Sequence, residues 1–367
     1  MKYSYTGEEK ALLWLDSFET VTHLQKSKIL SFVEPLELVR DFTEHEEVLE
    51  KIVSAENLTA MRDSLKDGSY LAALLQKLRE RDMFFVTCRS ADYPALLKEI
   101  PAPPVVLYGK GNRELLTTRC FSAVGSRRTL PWAQALSTRF SAALSAHFTL
   151  VTGLAEGGDA AVIRGVLDRE EEKTPLICVL AYGHDHVYPT AHASLLNEVS
   201  KRGLTLSEYP PEIPPKKYYF PVRNRIIAGM SVGTLVVSAG KNSGTNVTAG
   251  YALEYGRDVF AFPYNAGIAS GEGCNRLIKQ GAALADDVKD ILLSYGIEEK
   301  GEKATVALTE DEQKVMNFLL EQGDAHIEEI SKAVGQPSYL LSGALTALEV
   351  KGLISREGGN RFAAVKR

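Results

Sequence analysis

Residues 121–128 read Phe-Ser-Ala-Val-Gly-Ser-Arg-Arg, and this stretch decides the fold. The run 120–124 is apolar or small, which is typical of a β-strand that is covered on both faces. Gly125 permits a tight turn, and a helical pattern over 131–146 follows with apolar residues at spacing four. Unpaired N–H groups and the positive end of the helix dipole would then face one point, where Arg127 adds a charge. This arrangement predicts an anion site, although one such motif alone also fits an ordinary strand–helix turn that binds nothing.

Two more turns share this construction. Residues 152–159 read Thr-Gly-Leu-Ala-Glu-Gly-Gly-Asp, and residues 241–245 read Lys-Asn-Ser-Gly-Thr. Because the carboxyl ends of parallel strands meet at one edge of a sheet, we expect the three turns to form a continuous shelf for phosphates. An α/β scaffold that binds no nucleotide is the alternative. The candidate residues in the three turns are Gly125, Ser126, Arg127, Gly153, Gly157, Asp159, Ser243, Gly244 and Thr245.

Apolar strand patterns alternate with amphipathic helix patterns from residue 120 to about residue 293. This alternation predicts an α/β fold with a Rossmann-like open, mostly parallel sheet and helices on both faces. The predicted strands are 120–124, 149–152, 176–180, 204–207, 234–237 and 259–262, with a further strand at 105–109. The predicted helices are 131–146, 159–168, 191–201, 222–230, 246–255 and 274–280.

The two ends of the chain differ from this central region. Residues 1–85 have mostly helical patterns and predict an N-terminal helical domain without chemistry of its own. The sheet domain follows over 86–296, and a charged linker over 297–304. Residues 305–367 predict three helices and a hairpin, which is the winged-helix arrangement. The helix predicted over 338–351, which precedes the hairpin, has almost no basic residues. Both duplex DNA and another protein therefore remain possible partners of this domain.

Residues 209–225 combine prolines, cations and aromatic rings. The prolines predict an extended, rigid segment. Cations interleaved with aromatic rings suit single-stranded nucleic acid, because cations hold the backbone while rings stack on splayed bases. The candidate residues here are Lys217, Phe220, Arg223, Asn224 and Arg225. Alternatively, Phe220 belongs to the core and the arginines are structural, and for Asn224 and Arg225 that alternative is equally open.

The composition sets limits on function. A content of 45% hydrophobic and 24% charged residues is typical of a soluble globular protein. The net charge of −5 argues mildly against nucleic acid as a partner but does not exclude it, because binding depends on a local basic patch. No apolar run is long enough to cross a bilayer and the start of the chain lacks a signal peptide, so we expect a cytoplasmic protein without membrane contact. Neither a Cys-x-x-Cys pair nor a Walker-A pattern occurs. The sequence His184-Asp-His186 is weak evidence for a metal, and we predict no metal, no cofactor and no catalytic residue.

The quoted motifs resemble the DNA processing protein A family (DprA, also called Smf). The matching pieces follow the family's order along the sheet domain. They are Val-Gly-Ser-Arg at 124–127, the turn at 152–159, Tyr-Pro at 188–189, Ser-Glu-Tyr-Pro at 207–210, Phe-Pro-Val-Arg-Asn-Arg-Ile-Ile at 220–227, Ser-Gly-Thr at 243–245, Ala-Leu-Glu-Tyr-Gly-Arg at 252–257 and Asn-Arg-Leu-Ile-Lys-Gln-Gly-Ala at 275–282. The chain departs from the family at Gly158, where an aliphatic residue is usual.

The resemblance implies a function and a site. Members of the family bind incoming single-stranded DNA during natural transformation, load the RecA recombinase onto it, displace single-strand binding protein and act as dimers. Their helical N-terminal domain is SAM-like. The family's pocket arginine corresponds to Arg127, its pocket lysine to Lys217 and its base-contacting aromatic residue to Phe220, and the dimer surface to residues 268–281.

We therefore expect a non-enzymatic, single-stranded-DNA-binding recombination mediator. The competing hypothesis is a nucleotide-binding enzyme or sensor, because the sheet domain also resembles the lysine-decarboxylase-like phosphoribohydrolases. Those enzymes need an acidic Pro-Gly-Gly-x-Gly-Thr-x-x-Glu turn. This chain has Asn-Ser-Gly-Thr at 242–245 instead, with Glu254 further on.

Overall fold

The computed structural model of the chain describes residues 3–169, 171–298, 308–351, 353–357 and 359–365. The chain divides into two compact units, residues 1–297 and 298–367. Residues 299–304 of the predicted linker lie outside the described residues. Within the described residues, no helix is both long and apolar enough to span a membrane.

A nine-stranded sheet forms the centre of the first unit. Its strands are β1 (Phe84–Thr87), β2 (Val106–Gly111), β3 (Cys120–Gly125), β4 (Thr149–Thr152), β5 (Leu176–Leu180), β6 (Leu204–Ser207), β7 (Gly233–Ser238), β8 (Asp258–Ala261) and β9 (Ala283–Leu284). They lie in the order β1-β2-β6-β5-β4-β3-β7-β8-β9. Strands β3 to β9 run parallel to one another, whereas β2 pairs antiparallel with both β6 and β1 at one edge of the sheet. The predicted open, mostly parallel sheet is confirmed.

The chain reverses its direction across the sheet beside β3. It adds β4, β5 and β6 outward on one side and then returns to place β7 against the other side of β3. In open α/β sheets, ligands bind in the crevice outside the carboxyl ends of the strands at such a reversal. The ends of β3 and β7 therefore mark the place for a site.

Helices cover the sheet and form the N-terminal region. They are α1 (Gly7–Asp16), α2 (His23–Leu30), α3 (Pro35–Arg40), α4 (Phe42–Leu49), α5 (Ala55–Lys66), α6 (Tyr70–Glu80), α7 (Ala95–Lys98), α8 (Pro131–Leu144), α9 (Gly158–Leu167), α10 (Ala193–Arg202), α11 (Tyr219–Gly229), α12 (Thr245–Glu254), α13 (Glu272–Lys279) and α14 (Val288–Ser294). The predicted domain boundary at 85/86 falls inside β1, and the residues on both sides of it belong to one compact unit.

The N-terminal helices pack against the sheet in the same compact unit. A buried ion pair joins Lys26 Nζ to Asp16 Oδ1 at 2.8 Å, and Tyr108 of β2 donates a hydrogen bond to Asp16 Oδ2. Arg81, just after α6, forms a two-pronged contact with Asp185 in the loop after β5. These polar contacts fix the helices on the β1–β2 edge of the sheet.

The second unit contains α15 (Glu310–Gln322), β10 (Asp324–His326), α16 (Ile327–Val334), α17 (Ser338–Val350), β11 (Ile354–Glu357) and β12 (Arg361–Ala364). The strands form an antiparallel sheet in the order β10-β12-β11. The predicted three helices and hairpin are thus present, while the winged-helix assignment itself stays a prediction.

Helices α8 and α9 approach each other closely at Gly165. A Cβ added at this position would overlap the carbonyl oxygen of Thr138 in α8. We predict that Gly165→Ala lowers the free energy of unfolding by about 1–3 kcal/mol, because overpacking outweighs the gain in helix propensity. Both tryptophans, Trp14 and Trp132, lie in the first unit, so tryptophan fluorescence in a urea titration measures the unfolding of that unit.

Gly250 supplies the matched control for this prediction. It also lies inside a helix, α12, but an added Cβ would meet nothing within 4 Å. Gly250→Ala is expected to stabilise the protein by about 0.5–1 kcal/mol through backbone entropy. Equal effects of the two substitutions would contradict the packing argument.

His184, the first residue of the candidate metal motif, contacts the neighbouring strand β6. Its Nε2 lies 3.3 Å from the Thr205 carbonyl oxygen and 3.2 Å from the Thr205 hydroxyl. Its neighbours in the candidate motif are also engaged, Asp185 with Arg81 and His186 with the Glu212 carbonyl oxygen. No group of three metal-ligating side chains occurs among the described residues.

Burial lowers the pKa of His184 from 6.5 to about 4. The unfolded chain then binds a proton more readily than the folded chain, so His184 makes the protein less stable as the pH falls from 6.5 towards 4. We predict that this residue accounts for a loss of at most about 2 kcal/mol by pH 5. The stability difference between wild type and His184→Gln, measured by urea titration, should shrink or reverse between pH 7.5 and pH 5. A difference that does not change with pH would show that His184 is not buried in the neutral form.

Candidate nucleic-acid interface

A cleft of 340 Å³ lies at the carboxyl ends of β3 and β7, where the strand order reverses. We call it the strand-end cleft. The three predicted turns meet there, together with the first turns of α11. Ten of the fourteen predicted site residues line it, namely Gly125, Ser126, Arg127, Asp159, Phe220, Arg223, Asn224, Ser243, Gly244 and Thr245.

Asp159 connects the first turn to the second. Its carboxylate accepts hydrogen bonds from the N–H of Gly125 at 3.1 Å and from the N–H of Ala155 at 3.3 Å. Burial raises the pKa of this carboxyl, while the nearby Arg223 guanidinium and the two amide donors act against that rise. The side chain is almost fully buried. Asp159 therefore holds the floor of the cleft together and is poorly placed to contact a ligand.

The backbone of the first turn is engaged with other parts of the protein. The Gly125 N–H donates to Asp159, and the Ser126 N–H donates to the Ser238 carbonyl oxygen at 2.9 Å. Helix α8 begins only at Pro131, and its first residues do not line the cleft. The prediction that this helix start and these amides form an anion site is wrong. What the first turn presents to the cleft is the side chain of Arg127.

The second turn packs tightly against the first. The Gly158 N–H donates to the Ser126 carbonyl oxygen at 3.1 Å, and a Cβ at Gly158 would overlap the backbone of Gly125. Gly157, with φ of 76°, faces the carbonyl oxygens of Ser126 and Arg127 and does not line the cleft. The glycines of this turn thus serve close backbone packing instead of ligand approach.

The third turn opens a helix directly into the cleft. Helix α12 begins at Thr245, and its N-cap residue Gly244 provides no side-chain cap. Ser243, Gly244 and Thr245 line the cleft. The first N–H groups of the helix are bonded within this turn, Thr245 to Ser243 Oγ at 3.2 Å, Asn246 to the Ser243 carbonyl oxygen at 3.0 Å and Val247 to the Gly244 carbonyl oxygen at 3.1 Å. Asn224 Nδ2 donates to the Gly244 carbonyl oxygen at 3.3 Å, which ties α11 to this turn. This is the turn where the predicted helix-start geometry is present.

Arg127 and Phe220 form the exposed part of the cleft. The Arg127 guanidinium carbon lies 5.9 Å from the centre of the Phe220 ring, which is within cation–π range. Arg127 is exposed and forms no ion pair within the described part of the chain. Phe220 is half-buried. A free cation beside a partly exposed ring is the combination that the sequence predicted for this region.

Arg223 lies beneath the cleft. It is buried and donates hydrogen bonds to the Val179 carbonyl oxygen and to Asn224 Oδ1. A Cβ at Gly153 would overlap Asp159 and crowd the Arg223 guanidinium. Glycine is required there because these two charged side chains occupy the space. Arg223 and Gly153 are therefore placed to support the site.

Arg225 lies away from the cleft. It forms an ion pair with Glu208 at 2.5 Å, and the two side chains are only 5% and 9% exposed. This buried ion pair favours the structural role for Arg225 over the predicted contact with nucleic acid. Lys217 is exposed just before α11 but does not line the cleft.

The segment 209–225 is only partly extended. Its second half is helical, because α11 begins at Tyr219 and tolerates Pro221 in its first turn. The Tyr209 and Tyr219 rings stack with centres 4.1 Å apart. The first half contains turns at 211–212 and 217–218, and the predicted extended geometry is wrong from Tyr219 onward.

A second, smaller cavity of 60 Å³ adjoins the strand-end cleft, and sequence reasoning did not assign it. The two share the side chains of Arg127, Phe220 and Arg223. The ring of Tyr188 packs edge-on against Phe220 with centres 5.4 Å apart. The Tyr-Pro motif at 188–189 is the sequence feature that could have pointed to this cavity, but the motif alone does not indicate that Tyr188 packs against Phe220.

A family model described as DNA recombination-mediator protein A matches residues 84–296. Among curated proteins, the chain is 37% identical over 253 residues to protein Smf of Synechocystis, covering 66% of this chain and 60% of that protein's length. It is 36% identical over 227 residues to DNA processing protein DprA of Bacillus subtilis, covering 60% of this chain and 74% of that protein. The chain thus spans somewhat less than two thirds of the Synechocystis protein.

Solved structures show the same fold. The X-ray structure of DprA from Streptococcus pneumoniae matches with a TM-score of 0.67 and 30% identity, over 81% of this chain and all of that one. A Helicobacter pylori DprA structure, described as revealing a single-stranded-DNA-binding mode, matches with a TM-score of 0.52 and 25% identity over 57% of this chain and 95% of that one. Because the family model covers more than half of the chain, the protein belongs to the DNA recombination-mediator protein A family.

Proposed function

We propose that the protein binds single-stranded DNA in the strand-end cleft and acts as a recombination mediator. The observation that carries this proposal is the meeting of Arg127, Phe220 and the start of α12 in one cleft. The Helicobacter pylori relative, whose structure concerns single-stranded DNA binding, supports it.

The cleft suits a single strand better than a duplex. An aromatic ring can stack on a base only when that base is unpaired and splayed out. Phe220 offers such a ring, and Arg127 beside it offers a charge for the neighbouring phosphate. At the start of α12, the Thr245 hydroxyl and the positive end of the helix dipole favour a phosphate oxygen, while the Thr245 N–H already donates to Ser243 Oγ.

The enzyme hypothesis is disfavoured by the position of Glu254. A phosphoribohydrolase needs a carboxylate close to the turn, but Glu254 ends α12 whereas the cleft lies at its beginning. At 1.5 Å per residue, about 13 Å of helix separates them. The carboxylate that does line the cleft, Asp159, is buried and already bonded to two amides. We therefore propose that the cleft binds without breaking bonds.

We further propose that the bound strand is passed to RecA, that single-strand binding protein is displaced, and that the protein works as a homodimer. These steps rest on the family resemblance. The exposure of Ile268 and Leu284 supports a dimer surface near residues 268–281, since both are apolar side chains at that edge of the first unit. The strand β9 there is also a sheet edge open to pairing.

We predict that Arg127→Ala and Lys217→Ala each weaken binding of a fluorescent thymidine oligonucleotide in an anisotropy titration. With about three to five phosphates contacted, log affinity should fall with log salt at roughly −0.7 per phosphate. Each substitution removes one cationic contact, so the salt slope should become less steep by about 0.7.

Lys173→Ala is the matched control. Lys173 is also exposed, but it precedes β5 and so lies at the opposite edge of the sheet from the strand-end cleft. Its substitution should leave affinity and slope unchanged. If Arg127→Ala behaves like this control, the strand-end cleft is not the binding site, and if Lys217→Ala does, the bound strand does not reach Lys217.

The mediator role predicts an effect on RecA. Wild-type protein should shorten the lag before RecA assembles on a strand coated with single-strand binding protein, as measured by DNA-dependent ATP hydrolysis. The double variant Arg127→Ala, Lys217→Ala should not, because it cannot hold the strand. A lag that wild-type protein leaves unchanged would contradict the mediator role while leaving DNA binding untouched.

A further inference from the structure

The cavity beside the strand-end cleft has features of a slot for one nucleobase edge. Its inner wall is apolar, with Leu154, Leu180 and Ala181. Aromatic side chains Tyr182, Tyr188 and Phe220 form its sides. At 60 Å³ it admits the edge of a base and not a whole nucleotide. Because Phe220 and Arg127 belong to both cavities, a strand in the cleft passes the mouth of this slot.

The walls of the slot are fixed by contacts within the protein. The Tyr182 hydroxyl donates to the Tyr188 carbonyl oxygen at 2.9 Å and accepts from the Tyr188 N–H at 3.0 Å. Arg223, at the back, donates to Val179 and Asn224. These polar groups are therefore occupied, and they offer little to the edge of an entering base.

Two polar side chains at the slot are free to bind, Arg127 and Glu156. Among the described residues that line the slot, Glu156 is the one carboxylate. It is exposed and forms no ion pair or hydrogen bond within the described part of the chain. It sits in the turn held by Asp159, one residue after the bonded N–H of Ala155. A carboxylate that only accepts hydrogen bonds thus lies beside the Arg127 cation at a slot whose other polar groups are bonded within the protein.

We propose that Glu156 selects guanine at this slot, an inference that rests on the proposed binding of single-stranded DNA. Guanine presents two adjacent N–H donors, N1–H and N2–H, on its Watson–Crick edge, and two carboxylate oxygens can accept both. Adenine and cytosine each place a ring-nitrogen acceptor beside their amino group. Thymine places two carbonyl oxygens beside its single N–H, and these repel a carboxylate. Guanine is therefore the base that matches Glu156 with both oxygens.

The selection has a cost for the other bases. The negative charge of Glu156 lies near the path of the phosphates and opposes binding of any strand that offers it no donor pair. A substitution that removes this charge but keeps the side-chain shape should therefore raise the affinity for an all-thymidine strand and lower the affinity for a strand that contains guanine. A purely structural role of Glu156 would change both affinities in the same direction.

The test compares thymidine oligonucleotides that differ at one central base, by anisotropy at fixed salt. For wild-type protein, a central guanine should bind about tenfold tighter than thymine, and inosine, which lacks the amino group, should fall between them. Glu156→Gln should bind the all-thymidine strand more tightly than wild type and should lose most of the preference for guanine. Glu172→Gln, an equal charge change before β5 at the opposite edge of the sheet, should keep the wild-type pattern.

The outcomes separate this inference from the proposed function. If the all-thymidine strand binds but a central guanine does not raise the affinity, Glu156 does not select the base. The same conclusion follows if Glu156→Gln keeps the preference for guanine. If no strand binds to wild-type protein, the proposed function itself fails.

Discussion

The Asp159 carboxylate is the interaction on which the site depends. By accepting the amides of Gly125 and Ala155, it joins two turns that follow different strands of the sheet. The Arg223 guanidinium and the Asp159 carboxylate both lie next to Gly153, so the buried carboxylate has a buried positive charge near it. Removing one partner of such an arrangement leaves the other charge buried and unpaired, which is strongly destabilising. The floor of the cleft is therefore rigid for electrostatic reasons as well as through packing.

This rigidity changes how the cleft can bind a polyanion. The glycine-rich turns use most of their N–H groups to hold one another, so they do not form three equivalent anion sites. Binding then falls to the start of α12, to the exposed cation of Arg127 and to the ring of Phe220. A chain with a net charge of −5 can bind DNA at these groups, because the affinity for DNA depends on the local charge of the site rather than on the net charge of the chain.

Much of the fold could be predicted because its signals are local. Strands such as β3 and β5 are continuous apolar runs, and glycine turns directly follow β3 and β4. The edge strands were missed: β1 lies at the end of a helical pattern, and β9 has only two residues. Within the site, Arg127 and Phe220 were identified by motif. The ion pair of Arg225 with Glu208 and the burial of Arg223 depend on partners 17 and 44 positions away in the chain, and no local pattern contains that information.

Hydrogen–deuterium exchange on the full chain, with and without a thymidine oligonucleotide, tests the central claim most directly. The account predicts that the strand slows exchange in peptides covering 125–128, 217–224 and 241–246, because these segments surround the strand-end cleft. Slowing confined to α17 and the hairpin β11–β12, with none around the cleft, would contradict it and place DNA binding in the second unit.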